Sequence, residues 1–299
     1  TNVLKYQALG AGSWASGGDV NTARALLAGA GLSTAAVIFG GIPFPTPGVA
    51  VVTTESYNGS AWTVATSMGT ARSYYCGWGT QTAAMTTGGN AYPPGLIAAT
   101  EQYNGTGWSE VTDLNQAVKK QAGGGTTTDA LIAGGSLPAL VDTTETWNGT
   151  SWSTSPATLN TARRDAAAAG NGTSTAALIF GGLDPSTVAI TEEFDGTSWT
   201  EKADLGSARY QLGGSGTSTN ALAFGANGAG PNSVFTEAWN GTSWTEVADL
   251  GSPKYAAGFG GNSAASDAFV AAGYAHPPTN QVKTQEWTKS ATVKTVTVV

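Results

Sequence analysis

The chain has 299 residues, of which 11% are charged and 42 are glycine, and it carries a formal charge of −7. With no run of like charge, that balance gives no electrostatic footprint for nucleic acid or for an anionic membrane surface, and solubility is the simpler reading. Cys76 is the single cysteine, which excludes an internal disulfide and a CxxC metal site; no signal-peptide pattern or apolar span of about eighteen residues occurs, so no membrane insertion is expected.

The chain opens on strand material, Val3 to Trp14, whose closing GSW echoes a phrase that then returns about every 45 residues. Its cores are TESYNGSAWT (Thr54 to Thr63), TEQYNGTGWS (Thr100 to Ser109), TETWNGTSWS (Thr144 to Ser153), TEEFDGTSWT (Thr191 to Thr200) and TEAWNGTSWT (Thr236 to Thr245). A period of this length with one hairpin and one double glycine per unit belongs to propellers rather than helical solenoids. The double-glycine slot reads Gly40 and Gly41, Gly88 and Gly89, Gly134 and Gly135, Gly181 and Gly182, Gly225 and Ala226, and Gly273 with Tyr274, and six slots predict six blades.

Within one unit, Asp165 to Gly170 is a small-residue strand a, and Ala176 to Gly182 an apolar strand b buried on both faces. Ile190 to Phe194 and Thr197 to Glu201 form strands c and d, joined by a tight turn. Asn-Gly or Asp-Gly at that turn predicts a type I′ hairpin, with positive φ at both central positions. The expected fold is therefore all-β, a single propeller domain over 1–299 with four-stranded antiparallel blades. Their boundaries fall near 22–66, 70–112, 116–156, 161–203, 207–248 and 252–298. The ring is closed by terminal strands, the segment 1–16 being a candidate for that role, while TQEWTKSATVKTVTVV at the end reads as strands c and d of the last blade.

A small-residue strand, an apolar strand ending in Gly-Gly, an aromatic spaced from a Trp and a basic residue before the next unit, in that order, resemble the kelch repeat over nearly the whole chain. The phrase NGTSWT is not the usual kelch wording; repeats in this dialect look like those of marine bacteriophages and marine bacteria. The resemblance implies a six-bladed propeller and, more loosely, a virion-associated or extracellular protein. A weaker likeness to the Asp-box of sialidases fails because Asn or Asp is followed directly by Gly.

Enzyme chemistry is poorly supplied. His276 is the one histidine and lies in a loop, so no metal site is expected, and the copper chemistry of galactose oxidase, a relative by fold, lacks its ligands. No GxSxG elbow accompanies it, and Cys76 reads as a small buried residue. No cofactor is expected. Arg24, Arg72, Arg163, Arg209 and Lys254 share one repeat position and form a candidate cationic ring, but the equally recurrent Glu55, Glu101, Glu145, Glu192 and Glu237 make ion pairs between or within blades the stronger reading. The hairpin aromatics and their Trp partners are expected to pack between blades. Trp78, Trp14 and Trp287 stand outside that set or at its ends, and Trp78 is the better candidate for a special role.

Strand alternation puts the b-to-c and d-to-a connections on one face. Every b-to-c loop there contains proline, and the loops carry Phe44, Tyr92, Leu96 and Leu137. Varied loops on one face of a repeat fold are the usual recognition surface. The candidate binding residues are thus Phe44, Tyr92, Leu96 and Leu137, with Arg24, Arg72, Arg209 and Lys254 of the basic ring beside them; catalytic and metal-ligating residues are expected to be none. The leading expectation is a non-catalytic virion or extracellular structural protein that docks other protein subunits or a host-surface glycan, with association between copies of the chain left open. The alternative is a glycoside hydrolase-like propeller using two carboxylates near the axis, with Asp142, Asp165 and Asp184 as suspects. An intracellular kelch adaptor is a third reading, set behind these because such propellers usually come with partner domains.

Overall fold

The computed structural model describes residues 2–44, 48–91, 95–227, 234–261, 265–275 and 279–298. Six four-stranded antiparallel sheets make a ring of blades, a six-bladed β-propeller. The innermost strands, a, are Ala28–Leu32, Cys76–Thr80, Ala122–Gly125, Ala167–Ala168, Gly213–Thr217 and Gly258–Gly261 in blades one to six. Strands b are Ala35–Phe39, Ala83–Thr87, Ala130–Ala133, Ala177–Phe180, Asn220–Phe224 and Asp267–Ala271. Strands c are Thr54–Tyr57, Thr100–Tyr103, Thr144–Trp147, Thr191–Phe194, Thr236–Trp239 and Thr284–Thr288. Strands d of the first five blades are Trp62–Ala65, Trp108–Val111, Trp152–Thr154, Trp199–Glu201 and Trp244–Glu246.

The sixth strand d comes from the other end of the chain. Ser13–Ser16 pairs antiparallel with Thr284–Thr288, placing Trp14 opposite Trp287. The expectation that the C-terminal stretch supplies this strand is corrected: Ala291–Val298 instead pairs with Asn2–Leu9 as a separate two-stranded ribbon. The echo of the hairpin phrase in the opening GSW has its physical cause here, because Trp14 must satisfy the same contacts as the other strand-d tryptophans.

Those contacts explain the repeated phrase residue by residue. Six apolar clusters fill the ring, one at each seam between neighbouring blades. At every seam the strand-d indole donates to the buried hydroxyl of the threonine that opens strand c in the preceding blade. The distances are 2.9 Å for Trp62 to Thr284, 3.1 Å for Trp108 to Thr54, 3.2 Å for Trp152 to Thr100, 2.9 Å for Trp199 to Thr144, 3.0 Å for Trp244 to Thr191 and 2.9 Å for Trp14 to Thr236. A buried indole N–H without an acceptor would cost about 1–3 kcal/mol, so each seam needs both residues. The strand-c aromatic packs against the Trp of its own blade, stacked in the case of Tyr57 on Trp62, with ring centroids 4.7 Å apart, and tilted in the others. Trp287 occupies that aromatic station in blade six and is fully buried.

The hairpins differ from the expected type I′ form. Tyr57 pairs with Trp62, which leaves a four-residue loop, and only Gly59 has positive φ, at 88°. Asn58 Oδ1 instead accepts from the Ser60 and Ala61 amides and from the Ser60 hydroxyl at 2.9–3.0 Å. The same side-chain cap recurs at Asn104, Asn148, Asp195 and Asn240, with Thr in the place of Ser60. The N-x-S/T pattern is thus a requirement of the turn, since the third residue's hydroxyl donates to the first residue's side chain.

Strands a crowd together at the axis, which is why they are built of Gly and Ala. A Cβ on Gly214 would lie 2.0 Å from the carbonyl oxygen of Ala168 in the adjacent blade. Strands b are apolar on both faces, with Val37, Ile38, Leu222 and Phe269 fully buried.

Candidate functional site at the axial mouth

The recurrent basic residues precede strand a, and the recurrent Glu follows Thr on strand c of the same blade. They meet as ion pairs: Arg24 to Glu55 at 3.1 Å, Arg72 to Glu101 at 2.7 Å, Arg209 to Glu237 at 2.8 Å, and Arg163 to Glu192. Each guanidinium is fully buried and also donates to at least two backbone carbonyls, as Arg72 does to Gly88 and Ala99 and Arg163 to Thr161 and Ile179. The second carboxylate oxygen accepts from the connection entering the blade, through the Asn21, Gly69, Asn160 and Gly206 amides. Burial lowers the Arg24 and Arg209 pKa values, and the paired glutamates offset only part of that shift.

Lys254 is fully buried and donates to the Ala272 and Lys283 carbonyls at 3.0 and 2.9 Å. Its pKa falls to about 7, chiefly through burial, because Gln285 stands on strand c where the other blades carry Glu. The basic ring is therefore internal: Arg24, Arg72, Arg209 and Lys254 present no charged group on the loop face. The hydrogen-bond pattern also moves the double-glycine slot of blade six to Ala272 and Gly273. Gly273 N donates to Arg24 O as Gly41 N does to Arg72 O, and Ala272 takes the left-handed φ of 60° that glycine holds elsewhere.

Two residues beyond each basic station, the chain turns into strand a through a left-handed residue that is never glycine. These are Leu26, Tyr74, Lys120, Asp165, Gln211 and Ala256, with φ between 50° and 62°. Each donates its backbone N–H to the carbonyl of its counterpart in the preceding blade, at 2.7–3.3 Å, so six hydrogen bonds close a circle around the axis. That circle offsets the strain of about 1–3 kcal/mol that each such residue carries. It also aims six side chains at the mouth of the axial channel, on the face that carries the b-to-c loops. The channel is a cavity of about 150 Å³ lined by the six strands a and by these mouth residues.

The mouth breaks the sixfold pattern in a directed way. Lys120 Nζ lies 4.8 Å from the centre of the Tyr74 ring and 3.2 Å from Asp165 Oδ2. Gln211 Nε2 approaches Asp165 Oδ1 at 3.4 Å, and Asn227 Nδ2 donates to Gln211 Oε1 at 3.1 Å. Asp165 is 7% exposed, and its Oδ2 has the charge of Lys120 beside it but no aligned hydrogen bond among the described residues. Blades one and six contribute an apolar side instead, where Leu26, Ala256 and Tyr255 cluster with Ile42, Tyr74 and Tyr274. The Tyr255 and Tyr274 rings pack at a tilt of 35° with centroids 5.3 Å apart. Burial raises the Tyr74 pKa, followed by the nearby Tyr274 and the Asp165 charge.

The other sequence candidates divide. Phe44 is 63% exposed on the loop face. Leu96 is half-buried in a two-residue pairing with Asn90, and Leu137 is half-buried against the cluster of Ile132, Trp147 and Trp152. Tyr92 and His276 lie outside the described residues. Trp78 is 2% exposed, donates to Thr126 O at 3.1 Å, stands edge-on to Trp152 and lines the axial channel. Burial pushes the Cys76 thiol up to about 12, so it stays protonated. Of the three suspected acids, Asp165 is the one that lines the channel, and it is the one carboxylate among the described lining residues. Tyr74, Lys120 and Gln211 were missed as a group, although their shared offset from the basic station was available in the sequence.

No protein-family model matches the chain, and no curated protein matches its sequence. The fold and the mouth define the class: a six-bladed β-propeller with a uniform, internally paired frame and one irregular polar opening on its loop face.

Proposed function

We propose that this protein is a non-catalytic docking propeller of kelch-like repeat type, a virion-associated or extracellular structural protein. Its loop face holds a host-surface glycan or the side chains of another protein subunit over the axial mouth. The observation that carries this reading is the half-polar, half-aromatic opening, where Lys120, Asp165 and Gln211 lie beside the tyrosines of blades two and six. A sugar presents hydroxyl groups that hydrogen-bond with such polar side chains and C–H faces that pack on tyrosines, so the ligand class placed first is a glycan. Phe44 and its proline-containing loop supply an outer contact, and proline lowers the entropy lost on ordering such loops. A glycoside hydrolase would have to find its second carboxylate, about 5–10 Å from Asp165, outside the described lining residues.

A glycan array probed with the wild type, Tyr74→Ala, Gln211→Ala and Phe44→Ala tests the reading. Wild-type binding is expected to fall at least tenfold in the two mouth variants and less in Phe44→Ala, with melting temperatures within a few degrees of one another. Wild-type binding that survives both mouth changes contradicts it.

A further inference from the structure

Blade three keeps the acidic half of the internal ion pair and lacks the basic half. The arginine station is Val118, yet Glu145 remains on strand c, 3% exposed. Its Oε2 accepts from Asn115 N at 3.0 Å and Asn115 Nδ2 at 2.8 Å, and among the described residues the carboxylate has no ion-pair partner. A buried carboxylate left without a compensating charge is costly.

The space that arginine fills elsewhere is a cavity of about 10 Å³ lined by Gly134, Thr143 and Glu145 and by the apolar Val118, Ile132, Leu137 and Val141, with exposed Gln116 at its outer side. That volume is about one water-sized sphere. The lining holds the counterparts of the arginine's acceptors. In blade one Arg24 donates to Gly40 O at 3.0 Å, Thr53 O at 2.6 Å and Glu55 Oε1 at 3.1 Å. The matching oxygens in blade three belong to Gly134, Thr143 and Glu145, all three of which line the cavity. In blade six the same carbonyl stations, Ala272 and Lys283, receive the ammonium group of Lys254. In blades one, two, five and six a nitrogen cation meets both carbonyls, in blade four Arg163 reaches only the carboxylate of the set, and blade three offers the oxygens, a carboxylate and a hole of atomic size.

We propose that the cavity between Val118 and Glu145 in blade three is a binding site for one monovalent cation of the alkali-metal or ammonium kind, which takes the place of the missing guanidinium. A single positive charge matches the one carboxylate, and two carbonyls complete an oxygen set of the type hard cations prefer. The site is independent of the axial mouth and of the function proposed for it.

The test is thermal unfolding at constant ionic strength, with choline chloride replaced stepwise by sodium, potassium or ammonium chloride. Choline is too large for the cavity. The wild-type melting temperature is expected to rise by about 2–4 °C over the titration in at least one of the three salts, following the logarithm of cation concentration once the site is mostly filled. Val118→Arg is expected to melt higher in choline chloride and to lose the cation dependence. Glu145→Gln should lose it too. A wild type that melts alike in all four salts overturns the proposal and leaves the cavity to water, and so does a dependence that persists in Glu145→Gln. Should Val118→Arg fail to fold, crystals soaked in rubidium chloride give a second reading: an anomalous peak beside Glu145 supports the site, and its absence at full soak contradicts it.

Discussion

Blades one, two, four and five carry a buried Arg–Glu pair, whereas blades three and six, which face each other across the ring, have each lost one partner. Blade three keeps a carboxylate opposite Val118, and blade six keeps Lys254 opposite Gln285. The backbone around these stations is the same in all six, down to the second residue of the glycine slot, whose amide donates to the basic station's carbonyl in the next blade. The comparison teaches that the pair is not needed to form a blade. What it does is to satisfy the carbonyls at the end of strand b and fix the incoming connection; where it is incomplete, the blade must satisfy those oxygens by other means.

Breaking an intact pair should have the largest effect. Arg72→Val leaves Glu101 buried and is expected to cost about 3–5 kcal/mol in urea unfolding, as removal of one partner of a buried pair does. A cost below about 1 kcal/mol would mean that Glu101 is easily accommodated alone and that blade three is not exceptional.

Lys254 sharpens the comparison through pH. Its folded pKa of about 7 lies below the ordinary lysine value of 10.5, so the unfolded chain binds the proton more tightly. Stability should therefore climb as pH rises from about 7 towards 10, by an amount on the order of a few kcal/mol. Above about 10 the buried hydroxyl of Tyr57, held up to about 12, acts in the opposite direction. Denaturant midpoints measured between pH 6 and 10 check this. In Lys254→Met the climb should disappear, and a wild-type profile that is flat over that window would remove the unpaired ammonium from the account.

Much of the frame was legible in the sequence, because each repeated residue has a repeated job: threonine accepts from an indole, glutamate meets arginine, the aromatic packs against tryptophan. What escaped has identifiable causes. The Asn-Gly pair signals two kinds of turn, and the side-chain cap from Ser60 that separates them is a contact between residues, not a property of either. Blade six was shifted by one in its glycine slot because Ala272 adopts a conformation normally left to glycine. Strand Ser13–Ser16 was hard to assign to a blade because its partners lie at the far end of the chain. The mouth was hidden for a different reason. Leu26, Tyr74, Lys120, Asp165, Gln211 and Ala256 have no chemistry in common; they share only a backbone conformation, and no residue type among them announces it.

The central claim is that six seams are chemically equivalent, with the N-terminal strand completing the last one. The most direct measurement is a double-mutant cycle on Trp14→Phe and Thr236→Val by urea unfolding, run beside the same cycle on Trp152→Phe and Thr100→Val. The two pairs have indole-to-hydroxyl distances of 2.9 and 3.2 Å. Both cycles should return a coupling of about 1 kcal/mol. Coupling at Trp152 and Thr100 with none at Trp14 and Thr236 would contradict the closed ring.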